Sequence, residues 1–259
     1  MKPLYLSKTR LNTYCLCPEK YRLTYIENIR PEKKAVQLIE GSALHHIVEN
    51  SLVYGRNIPN IAKAVSAEYW KEITLEETAY PDMEAMTLAQ DKILSEAEVF
   101  LEKIGQLNTW QMETDFEKPL ANPVTGEIDK NIIIRGYADI IDQPEPDLTR
   151  VIDIKTTAKS PNMDQANRAM ELTVYAYLMA CAYGFHIELP VSLLYLVRTR
   201  EPKVIWLNSL RSLPDFIKIH ATILRIASAI NQDLYWQNQG MHCSWCDHQE
   251  ICFGKTVAA

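Results

Sequence analysis

The sequence predicts a mixed α/β fold, a central sheet flanked by helices. Two observations carry that expectation. Between Gln111 and Thr156 the apolar residues fall in short runs separated by turn residues, while the segments on either side repeat them at helical spacing. The chain has 259 residues, 47% of them hydrophobic, enough for one large domain or one domain with an embellishment.

In chain order, residues 7–27 read as helical. Ser7 or Thr9 can cap, and Leu11, Tyr14, Cys15, Tyr21, Leu23 and Tyr25 supply apolar positions. Pro18 lacks an N–H and forces a break at Cys17-Pro18. Residues 31–34 are a polar linker, and 36–54 form a helix carrying Gly41-Ser42-Ala43-Leu44-His45-His46-Ile47-Val48-Glu49. His45 and Glu49 are four apart and share a helix face; alone, that is an ordinary helical histidine with an acidic neighbour. Residues 58–78 and 82–108 read as two more helices, with Trp70, Ile73, Leu88, Ile93, Leu94, Phe100, Leu101 and Ile104 at helical spacing. They carry no motif and read as a helical subdomain packed over the sheet.

From Trp110 the texture changes. Strands are expected over 111–120, 130–142 and 150–156, with turns at Asn122-Pro123-Val124-Thr125-Gly126 and at 144–147, giving a three-stranded meander. Residues 162–184 form a strongly apolar helix; 190–199 and 202–207 are strands paired with each other and with the sheet; 213–233 is an amphipathic helix.

Composition excludes some classes of function. With 8 glycines and neither GxxxxGK[ST] nor GxGxxG, the glycine-rich phosphate loops are absent. A net charge of −6 counts mildly against nucleic acid, although a local basic groove can coexist with an acidic total. No leader segment and no membrane-length apolar run is apparent, so the expectation is a soluble cytosolic protein whose six cysteines are thiols or metal ligands.

The chemistry concentrates in Val151-Ile152-Asp153-Ile154-Lys155-Thr156-Thr157. On a strand, Asp153 and Lys155 face one way and Ile152 and Ile154 the other. An acid and an amine together on a buried strand are costly unless the acid holds a divalent cation and the lysine sits beside the attacking water. Fourteen residues upstream, Asp139 on the preceding strand supplies a second carboxylate. Near the end of the chain, Cys243, Cys246 and Cys252 are spaced C-x2-C-x5-C, a metal-ligand pattern that wants a fourth member. Cys17 and Cys15 are the distant candidates, and His242 or His248 would suit zinc; Cys181, inside an apolar helix, reads as a buried thiol.

Several motifs then occur in a familiar order: Leu11-x2-Tyr14-x2-Cys17-Pro18 with Tyr21-Arg22, Gly41-x3-His45-x3-Glu49, Gly136-Tyr137-Ala138-Asp139, Asp153-Ile154-Lys155, Glu171-x3-Tyr175 and Cys243-x2-Cys246-x5-Cys252. This order resembles the PD-(D/E)XK nuclease superfamily, and within it the RecB-like nucleases that carry an iron–sulfur cluster: the AddB nuclease domain and the exonucleases associated with CRISPR adaptation. The resemblance spans nearly the whole chain, except 58–108.

The resemblance implies a restriction-endonuclease-like core of one domain, with 58–108 inserted and a catalytic sheet and helix over 110–207. It implies that Asp139, Asp153 and His45 hold a catalytic Mg2+ or Mn2+, and that Lys155 orients the attacking water and stabilises developing charge. Tyr175 matches the tyrosine of the family's Q-x3-Y motif, near active site and DNA; the glutamine of that motif is Glu171 here. Cys17, Cys243, Cys246 and Cys252 match the ligands of a structural [4Fe-4S] cluster, with Cys17 preferred over Cys15 because the family's ligand precedes proline. Imidazole on the metal favours Mn2+ over Mg2+, because it is softer than carboxylate.

The implied activity is a metal-dependent DNA nuclease, an exonuclease on single-stranded DNA, in repair, recombination or CRISPR adaptation, with a helicase or integrase as a conceivable partner. The competing readings are an inactive nuclease fold kept as a DNA-binding or assembly module, and a zinc-stapled structural protein. Arg10, Lys20, Arg22, Lys159, Arg168, Arg198 and Arg200 are the cations available to line a DNA channel, each individually more often just a solvated charge. Polarity of cleavage and oligomeric state are not written in the sequence.

Overall fold

A computed structural model describes residues 3–31, 33–54, 60–104, 107, 109–145 and 148–254, with the side chains of 109–115 left aside. The expected turn at 144–147 and the expected helix limits at 58 and 108 therefore fall partly outside the described residues.

The first described element is a strand, β1 (Leu4–Ser7), in a stretch to which the sequence reading assigned no element before Ser7. Ser7 then caps α1 (Lys8–Leu16), accepting from the backbone N–H of Arg10. The break falls at Cys17, whose extended backbone separates α1 from α2 (Pro18–Tyr21), and a π-helical turn over Arg22–Ile26 follows. Next come α3 (Val36–Tyr54), α4 (Ile61–Lys71) and α5 (Met83–Lys103). The second of these is shorter than expected, because the chain leaves the helix after Lys71 and only a 3-10 turn at Leu75–Glu77 follows.

Strands β2 (Thr109–Ala121), β3 (Ile128–Glu145) and β4 (Leu148–Thr157) form the expected antiparallel meander. The turn between β2 and β3 closes with Asn122 and Glu127 paired, and Gly126 takes the left-handed conformation there (φ 73°). The single helix expected over 162–184 is interrupted at Ala169, giving α6 (Gln165–Arg168) and α7 (Met170–Tyr183). Strands β5 (Leu189–Val197) and β6 (Lys203–Arg211) pair antiparallel, and α8 (Leu213–Asn231) starts from a capping box between Ser212 and Asp215. A 3-10 turn (Met241–Trp245) and α9 (Gln249–Phe253) carry the C-terminal cysteines.

The sheet order is β1-β3-β4-β5-β6, with β2 on the other edge of β3. The sheet is mixed: β1 runs parallel to β3, and β4 parallel to β5. A parallel pair needs a crossover, and α7 provides it, buried and apolar from Val174 to Ala180 after a first turn that carries Glu171 and Thr173. The strand alternation divides the core. Val151, Leu193 and Val197 pack with Tyr175, Leu178, Phe216 and Ile223 on one face; Ile152, Ile154, Leu194 and Leu196 pack with Leu44, Ile47, Ile93 and Phe100 on the other. Each such fully buried side chain is worth about 1.5–3 kcal/mol relative to exposure. The result is helices on both sides of a mixed sheet, as the sequence predicts, with the helical block 61–103 forming one layer. Among the described residues, no helix is long and apolar enough to cross a membrane.

Candidate active site

One edge of β3 has two neighbours end to end. Leu4–Ser7 pair with Ile132–Arg135, whereas Ile140–Asp142 pair with Arg150–Ile152. Beyond Ile152, β4 leaves β3 and continues only beside β5, from Val151↔Val191 to Thr157↔Val197. A fork opens between β1, β3 and β4, and the predicted residues meet in it.

Asp139 sits where the ladder stops. Its Oδ2 accepts the Ile154 N–H at 2.7 Å, the donor that a continued β3–β4 ladder would have used. His45 enters from α3: Nε2 lies 3.2 Å from Asp139 Oδ2 and 3.1 Å from the Ile154 carbonyl, and Nδ1 lies 3.0 Å from Glu49 Oε1. Gly41, one helical turn earlier, faces β4; an added Cβ would lie 3.5 Å from Thr156 Oγ1, an ordinary van der Waals contact. Ligand atoms of His45, Glu49 and Asp139 all fall within 4.8 Å of one another, a grouping that could hold a metal ion. His45 and Glu49 open on a cleft of about 550 Å³ lined also by Gly41, Ile154, Lys155 and Thr156.

Asp153, expected as the third ligand, is in the fork but turned differently. Its carboxylate is fully buried, with Oδ1 accepting from Lys8 Nζ at 2.7 Å and Oδ2 paired to Lys155 Nζ at 2.5 Å. Lys155 is also 3.8 Å from Glu171, the acid at the position where the resembling motif has glutamine. Tyr175 is completely buried and, among the described residues, its hydroxyl finds no hydrogen-bond partner; its ring face lies 4.9 Å below the Lys8 ammonium. Gly136 on β3 makes room for it, since a Cβ there would come within 2.4 Å of Leu178 Cδ1 and 3.2 Å of the Tyr175 ring.

The site is a charge network. Burial lowers the His45 pKa, but the hydrogen bonds and charges of Asp139 and Glu49 outweigh it and raise the imidazole to about 10. Burial pushes Asp153 up, yet Lys155 and Lys8 beside it hold it below the ordinary carboxylate value. Burial lowers Lys8, and Asp153, Asp139 and Glu171 more than compensate, keeping it a cation. Burial, aided by the negative charge of Asp153 and Asp139, pushes the Tyr175 phenol up.

Two members of this network were missed or undervalued. Lys8 reads as an ordinary helix-start lysine, and nothing local in the sequence points to Asp153. Glu49 was noted only as the helical mate of His45; the signal available was that i,i+4 spacing, and the structure adds its burial. Of the cations offered for a DNA channel, Arg22 pairs with Glu19 and Glu27, Arg168 with Asp164, Lys20 with Asp247, and Arg198 with Glu40 and Glu96. Arg10 is bonded to the Tyr5 carbonyl and lies over the Tyr25 ring, while Lys159 and Arg200 are exposed.

The cysteines occupy a second place. Cys17, Cys243, Cys246 and Cys252 line one pocket, together with His242 and His248, whereas Cys15 is exposed and lines none of it. The N-terminal segment is tied to the chain after α8 by Glu19 N–H to the Trp236 carbonyl (3.1 Å), the Tyr14 hydroxyl to the Leu234 carbonyl (2.6 Å) and Asn238 Nδ2 to the Leu16 carbonyl (2.7 Å). His248 is bonded to Thr24 Oγ1 at 2.8 Å, and His242 Nε2 is buried without a partner among the described residues. Burial, then Glu19 and the other three thiols, push the Cys252 thiol up. Cys181 lies on α7 and burial raises its thiol to about 11.

Comparison with known proteins bears on the fold and the family. A protein from Eubacterium rectale whose crystal structure carries the name "Putative exonuclease" superposes with a TM-score of 0.55 at 14% identity, covering 98% of this chain and 91% of that one. The crystal structure of SSO0001 gives a TM-score of 0.39 at 16% identity over 96% and 97% of the two chains. LHK-Exo in complex with dAMP gives 0.29 at 13% identity over 77% and 94%. Likeness at these identities concerns fold alone, and the latter two scores are too low to argue from. Among curated proteins there is no significant match. Residues 5–253, nearly all of the sequence, match the sequence model of the PD-(D/E)XK nuclease superfamily, and the chain belongs to that superfamily.

Proposed function

We propose that the chain is a metal-dependent deoxyribonuclease, an exonuclease on single-stranded DNA, built as one domain whose two ends are joined by an iron–sulfur cluster. The observation that carries the hydrolytic reading is the fork: three metal-competent side chains within 4.8 Å, beside a buried aspartate held by two lysines.

His45 and Asp139 would hold the divalent cation, with the neighbouring Ile154 carbonyl and Glu49 as further donors and Asp153 as the buried acid available to turn toward it. Such a cation supplies Lewis-acid stabilisation of the phosphate and a hydroxide-like nucleophile near neutral pH. The protein does the rest. Ile154 N–H fixes the Asp139 carboxylate, Glu49 fixes the His45 ring through Nδ1, and Asp153 with Glu171 aims the Lys155 ammonium into the cleft. Lys155 orients the attacking water and offers a positive donor to charge developing on the phosphate. Tyr175 supports this arrangement through its ring rather than its sealed hydroxyl.

The donor set at the termini is four cysteines lining one pocket, the all-thiolate set that a [4Fe-4S] cluster takes. Cys17, Cys243, Cys246 and Cys252 would hold it. His242 and His248 share that lining and would suit zinc instead; iron with labile sulfide, against zinc, in the purified protein separates the two.

The test is digestion of end-labelled single-stranded and duplex DNA by anaerobically purified protein and by Lys155→Ala, with Mn2+, Mg2+ or chelator. Expected is degradation of single strands from one end, with Mn2+ at least as effective as Mg2+, lost with chelator and reduced at least about 100-fold in the variant. A protein that carries iron yet cuts no DNA under any condition supports the inactive DNA-binding module instead. Strict preference for Mg2+ argues against His45 as a direct ligand.

A further inference from the structure

Asp153 is fully buried and both of its oxygens are taken by ammonium groups, so it cannot turn to a cation unless one lysine yields. The two lysines are not equivalent. Lys155 has a second acid, Glu171, at 3.8 Å, and keeps a partner inside the cleft if Asp153 turns away. Lys8 has Asp153 as its one carboxylate within ion-pair distance among the described residues; the charges of Asp139 and Glu171 reach it only from farther off, and the Tyr175 ring lies beneath it. It stands at the first residue of α1, where the chain emerges from β1 into the fork, on the side of Asp153 away from Lys155.

We propose that Lys8 is a positioning residue that occupies Asp153 in the metal-free protein and competes with the divalent cation for it. This rests on the metal-dependent reading above. In the absence of metal, Lys8 neutralises an acid that would otherwise be buried with a single partner, and so keeps the fork assembled. When a cation binds, the Lys8 ammonium is displaced toward solvent and the cleft, and Asp153 becomes available as a ligand. The site therefore holds its shape when empty, at the expense of metal affinity.

The experiment is Mn2+ binding without DNA, by titration calorimetry, on wild type, Lys8→Met, Lys8→Gln and Lys8→Arg, together with the melting temperature of each with and without Mn2+. Removing the competing charge tightens Mn2+ binding about tenfold in the methionine and glutamine variants, the scale of one nearby like charge partly screened by water. Lys8→Arg keeps the charge and binds like wild type. Metal-free Lys8→Met melts lower than wild type, and saturating Mn2+ raises its melting temperature by more than it raises that of wild type. A purely structural lysine would weaken the site when removed. Equal or weaker Mn2+ binding by both uncharged variants, with wild type binding normally, overturns the role of Lys8 alone. No Mn2+ binding by wild type overturns the metal-dependent reading and this role with it.

Discussion

The fork and the cysteine pocket are both candidate inorganic sites, yet the chain prepares them in opposite ways. In the fork each acid meets a cation or a backbone donor: Asp139 takes Ile154 N–H and His45, Glu49 takes His45, and Asp153 takes Lys8 and Lys155. In the pocket four thiols are left facing one another, and Cys252 is pushed toward its protonated form by burial, by Glu19 and by its neighbours. The first site is complete in charge without an ion. The second, on the reading proposed above, is completed by the cluster it would hold. The comparison teaches which site would be structural: the fork holds its shape through its own side chains, and the pocket would lean on its cluster.

The sharpest way to break this contrast is at Cys17. If the pocket holds a cluster, its four ligands span most of the sequence, and losing one should release both ends together. Cys17→Ser is expected to lose most of its iron and labile sulfide and to fall sharply in soluble yield, whereas Cys15→Ser, at an exposed position outside the pocket, keeps both. Iron analysis of the two purified variants decides it; equal iron in both undoes the assignment of Cys17.

At the fork the corresponding variant should leave the fold alone. Asp139→Asn retains an oxygen for the Ile154 N–H, so the end of the ladder stays capped. Its Mn2+ affinity is expected to fall by at least about tenfold, the scale seen when metal-site partners are altered. Its unfolding free energy, from chemical denaturation, should stay within about 1 kcal/mol of wild type. A large loss of stability would show that Asp139 is mainly a structural acid and the contrast between the regions is wrong.

How much of this was legible beforehand follows from where the information lies. The break at Cys17-Pro18, the meander and the C-x2-C-x5-C spacing are local, and proline geometry, alternation and turn residues announce them. The placement of Asp139 and Asp153 on adjoining strands was legible for the same reason. Strand β1 was not: four residues are too few for a period, and its partners Ile132–Arg135 lie far along the chain. Lys8 was illegible for a related reason, because only the parallel pairing of β1 delivers it to Asp153, which lies 145 positions away. The helix limit at Lys71 and the interruption at Ala169 depend on tertiary packing, which overrides propensity at helix ends.

The support beneath the fork gives a smaller, graded test. Gly136 touches nothing catalytic, but a methyl group there would meet Leu178 Cδ1 at 2.4 Å and the Tyr175 ring at 3.2 Å. Gly136→Ala must therefore push α7 or bend β3, a strain of about 1–3 kcal/mol. Because Tyr175 lies under Lys8, activity should fall together with stability. A variant that melts like wild type would show that α7 can give way without cost.

The smallest effect expected is at Tyr175 itself, and it separates two uses of one residue. The family resemblance places this tyrosine near DNA, whereas here its hydroxyl is sealed and, among the described residues, unpartnered while its ring carries the Lys8 ammonium. Removing only the hydroxyl relieves a buried polar atom of its desolvation cost, so Tyr175→Phe should be neutral or stabilised by up to about 1 kcal/mol. It keeps the aromatic face, worth about 0.5–2 kcal/mol to a cation above it, so nuclease activity should stay within about twofold of wild type. Tyr175→Leu removes that face and should lower the melting temperature with little change in core volume. If instead Tyr175→Phe loses activity while remaining folded, the hydroxyl reaches the reaction after a rearrangement of α7, and the fork is less rigid than its ion pairs imply.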